Sequence, residues 1–471
     1  MIKKTKIVAT IGPATTSQEM LEKLLKAGLN VIRLNFSHGD FNEHQVKVDN
    51  FKKAMKSTGL SGAILQDLSG PKIRLGEFYQ ERVELKKGDI ITITTENIIG
   101  NEKKVSINYK PFPKEVKVGD NIMVDDGKKK FEVIEIKGEE VVCKIIVGGN
   151  TKGRRGVNLP DSDLSIKSLT DKDKKDIEFG IKNKVDFFAF SFVRTAEDVR
   201  ELREILNKKK SKAKIIAKIE TPQAIKNLDA ILELCDGLMV ARGDLAIEVP
   251  AEKVPLLQKM IIKKCNDAGK VVITATQMLE SMIKSPVPTR AEVSDIANAI
   301  LDGTDAIMLS EETTLGEYPL EAVNVMTKVA KEIEYNYPER KINNEKTNKE
   351  TEVTDSITES VVKTAHDVGA KAIIALTETG YTARMVSRFK PKPFILAITP
   401  NEVTYRQVCL SFGCYPVLVP MFNDYKEVAK FVRDYCIKNK IASKGDKIVA
   451  TGGMPFSKKS GSTNMVMVTT I

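Results

Sequence analysis

The chain has 471 residues, 42% of them hydrophobic and 29% charged, which is the balance of a globular protein and excludes a disordered chain. It divides into two to four domains on length, and no apolar run approaches the roughly 20 residues that span a bilayer, so no membrane partner is expected. The 74 Lys+Arg against 63 Asp+Glu give a net charge of +11, which suits anionic partners. The densest basic runs (residues 208–214 and 128–130) lie in polar, turn-like segments without aromatics, and solvated surface outweighs nucleic acid as their reading.

The N-terminus (MIKKTKIVAT) lacks the apolar stretch of a signal peptide, and the six cysteines are scattered, so a cytoplasmic chain with reduced thiols is expected. Short β-branched apolar runs then recur at residues 6–11, 30–36, 63–68, 187–193, 215–220, 237–241, 271–276 and 306–310. Helical stretches separate them; one opens on Ser17 and another on Thr170, each followed by acidic residues that suit the first turn of a helix. Eight such βα units close a (β/α)8 barrel.

After residue 68 the period changes. From about 71 to 167 strands alternate with turns at residues 86–89, 117–120 and 125–127, which reads as an all-β insertion on the third βα loop. A polar stretch, KINNEKTNKETEVT, follows the last barrel helix and serves as a linker. A second α/β pattern then runs to the end. The expected division is a barrel over 1–69 and 168–340, an inserted small β-barrel lid over 70–167, a linker over 341–354 and a C-terminal α/β regulatory domain over 355–471.

In such a barrel the site lies at the C-terminal ends of the strands, so polar residues that finish apolar strands are its first candidates. Strand two ends in Arg33, Asn35 and Ser37 on one face; strand five ends in Lys218 and Glu220, and strand six is followed by Gly243 and Asp244. Two carboxylates from neighbouring strands suit Mg²⁺ or Mn²⁺ better than zinc, and His, with three in the chain, is scarce. Taken alone, Lys218 and Glu220 read equally well as a buried salt bridge at the barrel rim.

At these residues the chain resembles the pyruvate kinases over essentially its whole length. The resemblance is carried by residues 5–15 (TKIVATIGPAT), 33–40 (RLNFSHGD), 70–74 (GPKIR), 156–160 (GVNLP), 218–220, 239–244 (MVARGD), 275–282 (ATQMLESM) and 288–292 (PTRAE), in that order. It implies phosphoryl transfer from phosphoenolpyruvate to ADP, giving pyruvate and ATP. It further implies Glu220 and Asp244 as ligands of the divalent ion, Arg33 and Lys218 facing the phosphoryl group, and Thr276, with Ser310 and Glu312, ordering a proton relay. Ser191, Gly243, Asp244 and Thr276 would complete the substrate site, and Asn35, His38, Arg74 and Arg155 the nucleotide site.

Several positions depart from the family's common pattern. Potassium-dependent relatives carry Thr after the Asp67 position and Glu at the Lys72 position; here stand Leu68 and Lys72. The expectation is that the Lys72 ammonium replaces potassium beside Asn35, Ser37 and Asp67. Arg155 stands where Lys is frequent and Glu311 where Gly is. In the terminal domain Thr377, Glu378, Thr379, Gly380, Tyr381 and Thr382 join a strand to a helix start and, with Lys458 and Lys459, would cradle a phosphorylated effector; an ordinary capped helix beside a basic loop is the other reading. A homotetramer is expected by the same resemblance. A lyase or phosphohistidine barrel lacks the β insertion, and a silent binding relative would have lost Lys218, Glu220 or Asp244.

Overall fold

A computed structural model describes residues 3–336, 353–422, 425–453 and 463–471. The chain opens with β1 (Lys6–Thr10), β2 (Val31–Asn35) and β3 (Ala63–Asp67). The insertion carries β4 (Val83–Leu85), β5 (Ile90–Thr94), β6 (Lys104–Ser106), β7 (Asn121–Val124), β8 (Lys129–Lys137), β9 (Glu140–Val147), β10 (Gly149–Thr151) and β11 (Val157–Asn158). Then come β12 (Phe187–Phe190), β13 (Lys214–Ile219), β14 (Gly237–Ala241), β15 (Val271–Ala275) and β16 (Ala306–Leu309). The final sheet is β17 (Ala372–Leu376), β18 (Phe394–Thr399), β19 (Cys414–Leu418), β20 (Lys447–Gly453) and β21 (Thr463–Thr470).

Strands β1 to β3 and β12 to β16 pair in parallel, each with the next in chain order, and β16 returns to β1 to close the barrel. Local chemistry sets the helices between them. Ser17 caps Gln18–Ala27 by accepting from the Met20 N–H, and Gly28, at φ 117°, ends it in the left-handed conformation that costs glycine least. Thr170 and Asp173 form a reciprocal capping box at the start of Asp171–Asn183.

Alternation along the strands separates two cores. Val8, Val31, Leu65, Phe187, Ala189, Ile216, Met239, Ile273 and Met308 fill the barrel interior, while Ile7, Ile32, Leu34, Ile64, Phe188 and Ile215 pack outward against the helices. Extending the interior register toward the strand ends leads to Thr10, Arg33, Asn35, Asp67, Ser191, Lys218, Glu220 and Ser310. The same period that buries the apolar layers therefore aims these polar groups into the mouth.

The inserted strands pair in the order β11-β7-β8-β9-β5-β6, with β10 and β4 as a separate ribbon. Their core includes Ile91, Ile93, Phe131, Val133 and Val141. Both edges are bridged by the entering chain, because Arg74 pairs with Gly156 beside β11 and Leu75 with Ile107 beside β6. This staple places Arg74 and Arg155 together, where the insertion joins the barrel, with the Leu75 N–H donating to the Arg155 carbonyl.

The C-terminal sheet has the order β19-β18-β17-β20-β21, antiparallel only at β21. A helix, Val353–Asp367, precedes it and takes in the last two residues assigned above to the linker. That correction has a physical cause: buried Thr354 and Thr358 occupy the inner face, with the Thr358 hydroxyl donating to the Thr354 carbonyl, so the segment reads as polar although it packs. The rest of the linker, 341–352, lies outside the described residues.

This sheet docks on the N-terminal end of the barrel. Residues just before four barrel strands each accept a backbone N–H from the preceding strand: Asn30 from Ile7, Asp186 from Ile64, Asp236 from Ile215 and Asp305 from Val272, at 2.9–3.0 Å. The second oxygen of two of them then takes a cation from the C-terminal domain, Arg406 on Asp186 at 2.8 Å and Lys390 on Asp305 at 2.7 Å. No described helix is long and apolar enough to cross a membrane. All six cysteines are buried and free.

Candidate active site

Asp67 is the hub of the barrel mouth. Its carboxylate lies 2.7 Å from Arg33 Nε and 3.4 Å from Lys218 Nζ. Lys218 also pairs with Glu220 Oε1 at 2.8 Å and donates to the Ser191 hydroxyl at 2.8 Å, which in turn donates to the Leu68 carbonyl at 2.7 Å. Arg33 reaches the Thr10 hydroxyl at 2.9 Å. Burial pushes Asp67 up, but Lys218 and Arg33 more than offset it and hold the carboxyl below its ordinary range. Burial pulls Lys218 down, yet Asp67 and Glu220 outweigh it and hold the ammonium above ordinary lysine. The lysine therefore stays charged.

Glu220 is almost wholly buried and accepts the Phe192 N–H at 2.6 Å on its other oxygen. Phe192 has φ 55°, an uncommon conformation for a bulky residue, and this kink ends β12 at Phe190, three residues short of the run read from sequence. Burial pushes Glu220 up; Lys218 draws it down and Asp244 up again, with a net rise. Two carboxylates, Glu220 and Asp244, thus lie near enough for each to oppose the other's charge. Hard, oxygen-only donors in that number fit Mg²⁺ or Mn²⁺, which keeps several waters and needs only one or two protein carboxylates. Among the described residues no three His, Cys, Asp or Glu side chains cluster to hold a metal without such help.

Across the mouth, β15 runs into Thr276 and Gln277, both left-handed at φ 71° and 54°. Backbone strain of this kind costs about 1–3 kcal/mol per residue and persists only where neighbours enforce it. The Thr276 hydroxyl accepts from the Gly243 N–H at 2.8 Å and donates to the Ala275 carbonyl at 2.6 Å. The N–H of Gly243, a residue assigned above to the substrate site, is thus engaged by Thr276. Glu312 is buried and raised by that burial; it accepts the backbone N–H of Ser310 at 2.6 Å and of Leu279 at 3.1 Å, tying the ends of β15 and β16 together.

A cleft of about 460 Å³ opens between mouth and insertion. His38, Lys72, Arg74, Arg155 and Asp244 line it, with Arg154, Asn158 and Glu248. The charge on Lys72 is opposed by burial, Arg74 and Lys218 and favoured by Asp244 and Asp67, and its pKa falls. Asn35 turns its oxygen to the Ser37 N–H at 3.1 Å. Arg155 Nε lies 3.4 Å from Asp125. Asn158 of the insertion donates to Glu248 of the barrel at 2.7 Å, and burial pushes that carboxyl up to about 7. Two groups escaped the sequence reading: Glu248, and Arg242, whose side chain holds the Thr276 turn. Only their position in and just after MVARGD signalled them.

In the C-terminal domain Gly380, at φ 79°, starts the helix Tyr381–Ser387. Around it the Glu378 carbonyl accepts from Thr404 at 2.6 Å and the Thr379 carbonyl from Arg384 at 3.3 Å. Thr377 and Thr382 are buried, and the Thr382 hydroxyl meets that of Thr463 at 2.7 Å, which brings the start of β21 to the turn. Lys458 and Lys459 lie outside the described residues.

A parallel eight-stranded barrel whose mouth gathers buried cations around carboxylates, beside an inserted β domain, has the makings of a phosphotransferase. Comparison with known proteins gives the family. Residues 2–323 match the pyruvate kinase barrel domain and residues 355–469 the pyruvate kinase alpha/beta domain. The chain is 44% identical to a pyruvate kinase of Clostridium perfringens over 99% of both chains, and 45% identical to one of Geobacillus stearothermophilus over 99% of this chain and 80% of that one. A crystal structure of a pyruvate kinase from Cryptosporidium parvum superposes with a TM-score of 0.93 at 37% identity, covering 99% of this chain and 96% of that one. The chain belongs to the pyruvate kinase family.

Proposed function

We propose that the protein transfers the phosphoryl group of phosphoenolpyruvate to ADP at the mouth of the barrel, without requiring potassium and under control from its C-terminal domain. The observation that carries this reading is Lys218, kept charged by Asp67 and Glu220 and aimed from the interior register into the mouth. Phosphoryl transfer proceeds through a loose transition state, so catalysis rests on positioning and on cations placed where charge develops. Lys218 and Arg33 supply those cations; Ser191 orients Lys218. A divalent ion, Mg²⁺ or Mn²⁺, held by Glu220 and Asp244, supplies further neutralisation of substrate oxygens when bound. The Thr276 hydroxyl passes a proton to the enolate left after transfer, with Ser310 and Glu312 fixing the adjoining loop. His38, Asn35, Arg74 and Arg155 hold nucleotide phosphates, and the domain spanning 70–167 closes as a lid that excludes water.

Lys72 replaces the monovalent cation near Asp67 and Leu68; it lines the cleft with Asp244, and Asp67 and Asp244 favour its charge against the larger effects of burial, Arg74 and Lys218. A phosphorylated small molecule binds the 377–382 turn with Lys458 and Lys459, and the part-buried pair Asp186–Arg406 and the buried pair Asp305–Lys390 carry its influence to the barrel. The chain assembles as a homotetramer. The protein works in the cytoplasm. A test is steady-state kinetics with Mg²⁺ in potassium-free and potassium-rich buffer: equal rates support the reading, and strong activation by potassium refutes the role of Lys72.

A further inference from the structure

Arg242 follows β14 directly and opens the helix Arg242–Glu248, which carries Gly243 and Asp244. Its guanidinium turns away from the cleft and grips the end of the next strand: Nε donates to the Ala275 carbonyl at 3.1 Å and Nη2 to the Thr276 carbonyl at 2.7 Å. Nη1 is anchored on Asp295 of the helix Arg290–Asp302, at 2.7 Å. One planar group therefore fixes two consecutive carbonyls at the point where the backbone enters its left-handed turn, a geometry only a fork of donors can satisfy.

The contact with Ala275 bears on chemistry. In this structure the Thr276 hydroxyl spends its single proton on that same carbonyl. To give the proton to a substrate the O–H must rotate away, and Ala275 is fully buried, so its oxygen would be stranded without another donor. Arg242 Nε is that donor.

We propose that Arg242 is a positioning residue for proton delivery, holding the Ala275 and Thr276 carbonyls so that the Thr276 hydroxyl is free to turn to the substrate. The inference rests on the reading of Thr276 as the proton donor. In the step it serves, the enolate's C=C pair forms a C–H bond at the methylene carbon and the C–O⁻ becomes the ketone. The proton comes from the Thr276 O–H, which regains one from solvent water.

The test separates proton transfer from phosphoryl transfer by following exchange of pyruvate methyl protons into D2O by NMR, with Mg²⁺ and without nucleotide turnover. Arg242→Lys keeps the charge but not the fork. Its exchange rate is expected to drop about a hundredfold, the scale of a misplaced catalytic group, with KM for phosphoenolpyruvate within about twofold of wild type and Mn²⁺ affinity unchanged. Asp295→Asn, which loosens the guanidinium without removing it, is expected to slow exchange by a smaller factor and provides the reading if Arg242→Lys does not fold. Unchanged exchange in the folded variants, a raised KM at constant kcat, or loss of Mn²⁺ binding would each overturn the proposal. Thr276→Val distinguishes the premise: if it exchanges at the wild-type rate the reading of Thr276 itself fails, whereas slow exchange in Thr276→Val beside normal exchange in Arg242→Lys sinks the Arg242 proposal alone.

Discussion

Lys218 Nζ lies 2.8 Å from Glu220 Oε1, one interior step farther along the same strand end, and this pair joins the cation proposed for the phosphoryl site to a carboxylate proposed for the metal site. Lys218→Met therefore does two things. It removes the cation proposed to stabilise the transition state, for an expected fall in kcat of about 10²–10³-fold or more. It also leaves Asp67 and Glu220 short of a buried partner, at a cost of about 3–5 kcal/mol, visible as a lowered denaturation midpoint. A variant with normal kcat would show that Lys218 is only a rim salt bridge.

Asp244→Asn removes one of the two carboxylates proposed to hold the divalent ion. Mn²⁺ binding, followed by electron paramagnetic resonance on the protein without nucleotide, should weaken by about 10- to 100-fold, the range seen when groups around a metal are altered. Undiminished binding would move the metal site elsewhere.

Asp186 gives a pH signature far from the mouth. Burial pushes its carboxyl up to about 6 from an ordinary 3.8, against the pull of Arg406. A raised acid favours the fold while protonated, so its contribution is full below the unfolded value and is lost as pH climbs through about 6. The stability of wild type minus that of Asp186→Asn should fall by roughly 3 kcal/mol between about pH 4 and pH 7 and then stay level. Chemical denaturation of both proteins across that range checks it; a difference that grows with pH contradicts it.

Lys72→Glu should convert a rate that ignores potassium into one that rises with it, since the new carboxylate would restore a binding place for the ion beside Asp67. Assays in tetramethylammonium and potassium salts at equal ionic strength decide this. A variant as indifferent to potassium as wild type would count against the substitution of ammonium for ion.

Gly180 lies inside the helix Asp171–Asn183, where alanine would ordinarily stabilise by about 0.5–1 kcal/mol. A Cβ there would stand 2.6 Å from the buried Phe188 ring, so the helix would have to lift off the barrel. Gly180→Ala should thus destabilise, by about 1–3 kcal/mol of overpacking, as measured by urea midpoint.

The barrel was legible because its strands are short apolar runs, most of them β-branched, and several of the intervening helices carry their own caps, as at Ser17 and Thr170. The mouth was legible for the same reason: Arg33 and Lys218 continue the alternation that buries Val31 and Ile216. The helix Val353–Asp367 was not, because buried threonines satisfy their hydroxyls on its own backbone and break the apolar period. Nor was Arg242, whose partners are carbonyls 33 and 34 residues away, for main-chain oxygens leave no mark in a sequence. Asp67 was read as a cation-site residue, and its central place between Arg33 and Lys218 emerges only when the barrel closes and brings β2 and, across β12, β13 to either side of β3.

The most direct measurement is a coupled assay of pyruvate formation from phosphoenolpyruvate and ADP with Mg²⁺, run on the wild-type protein and on Lys218→Met. The account predicts rapid, metal-dependent turnover by the first and collapse in the folded variant. A folded wild-type protein without turnover, or a variant that retains it, would contradict the assignment of the barrel mouth as the phosphoryl-transfer site.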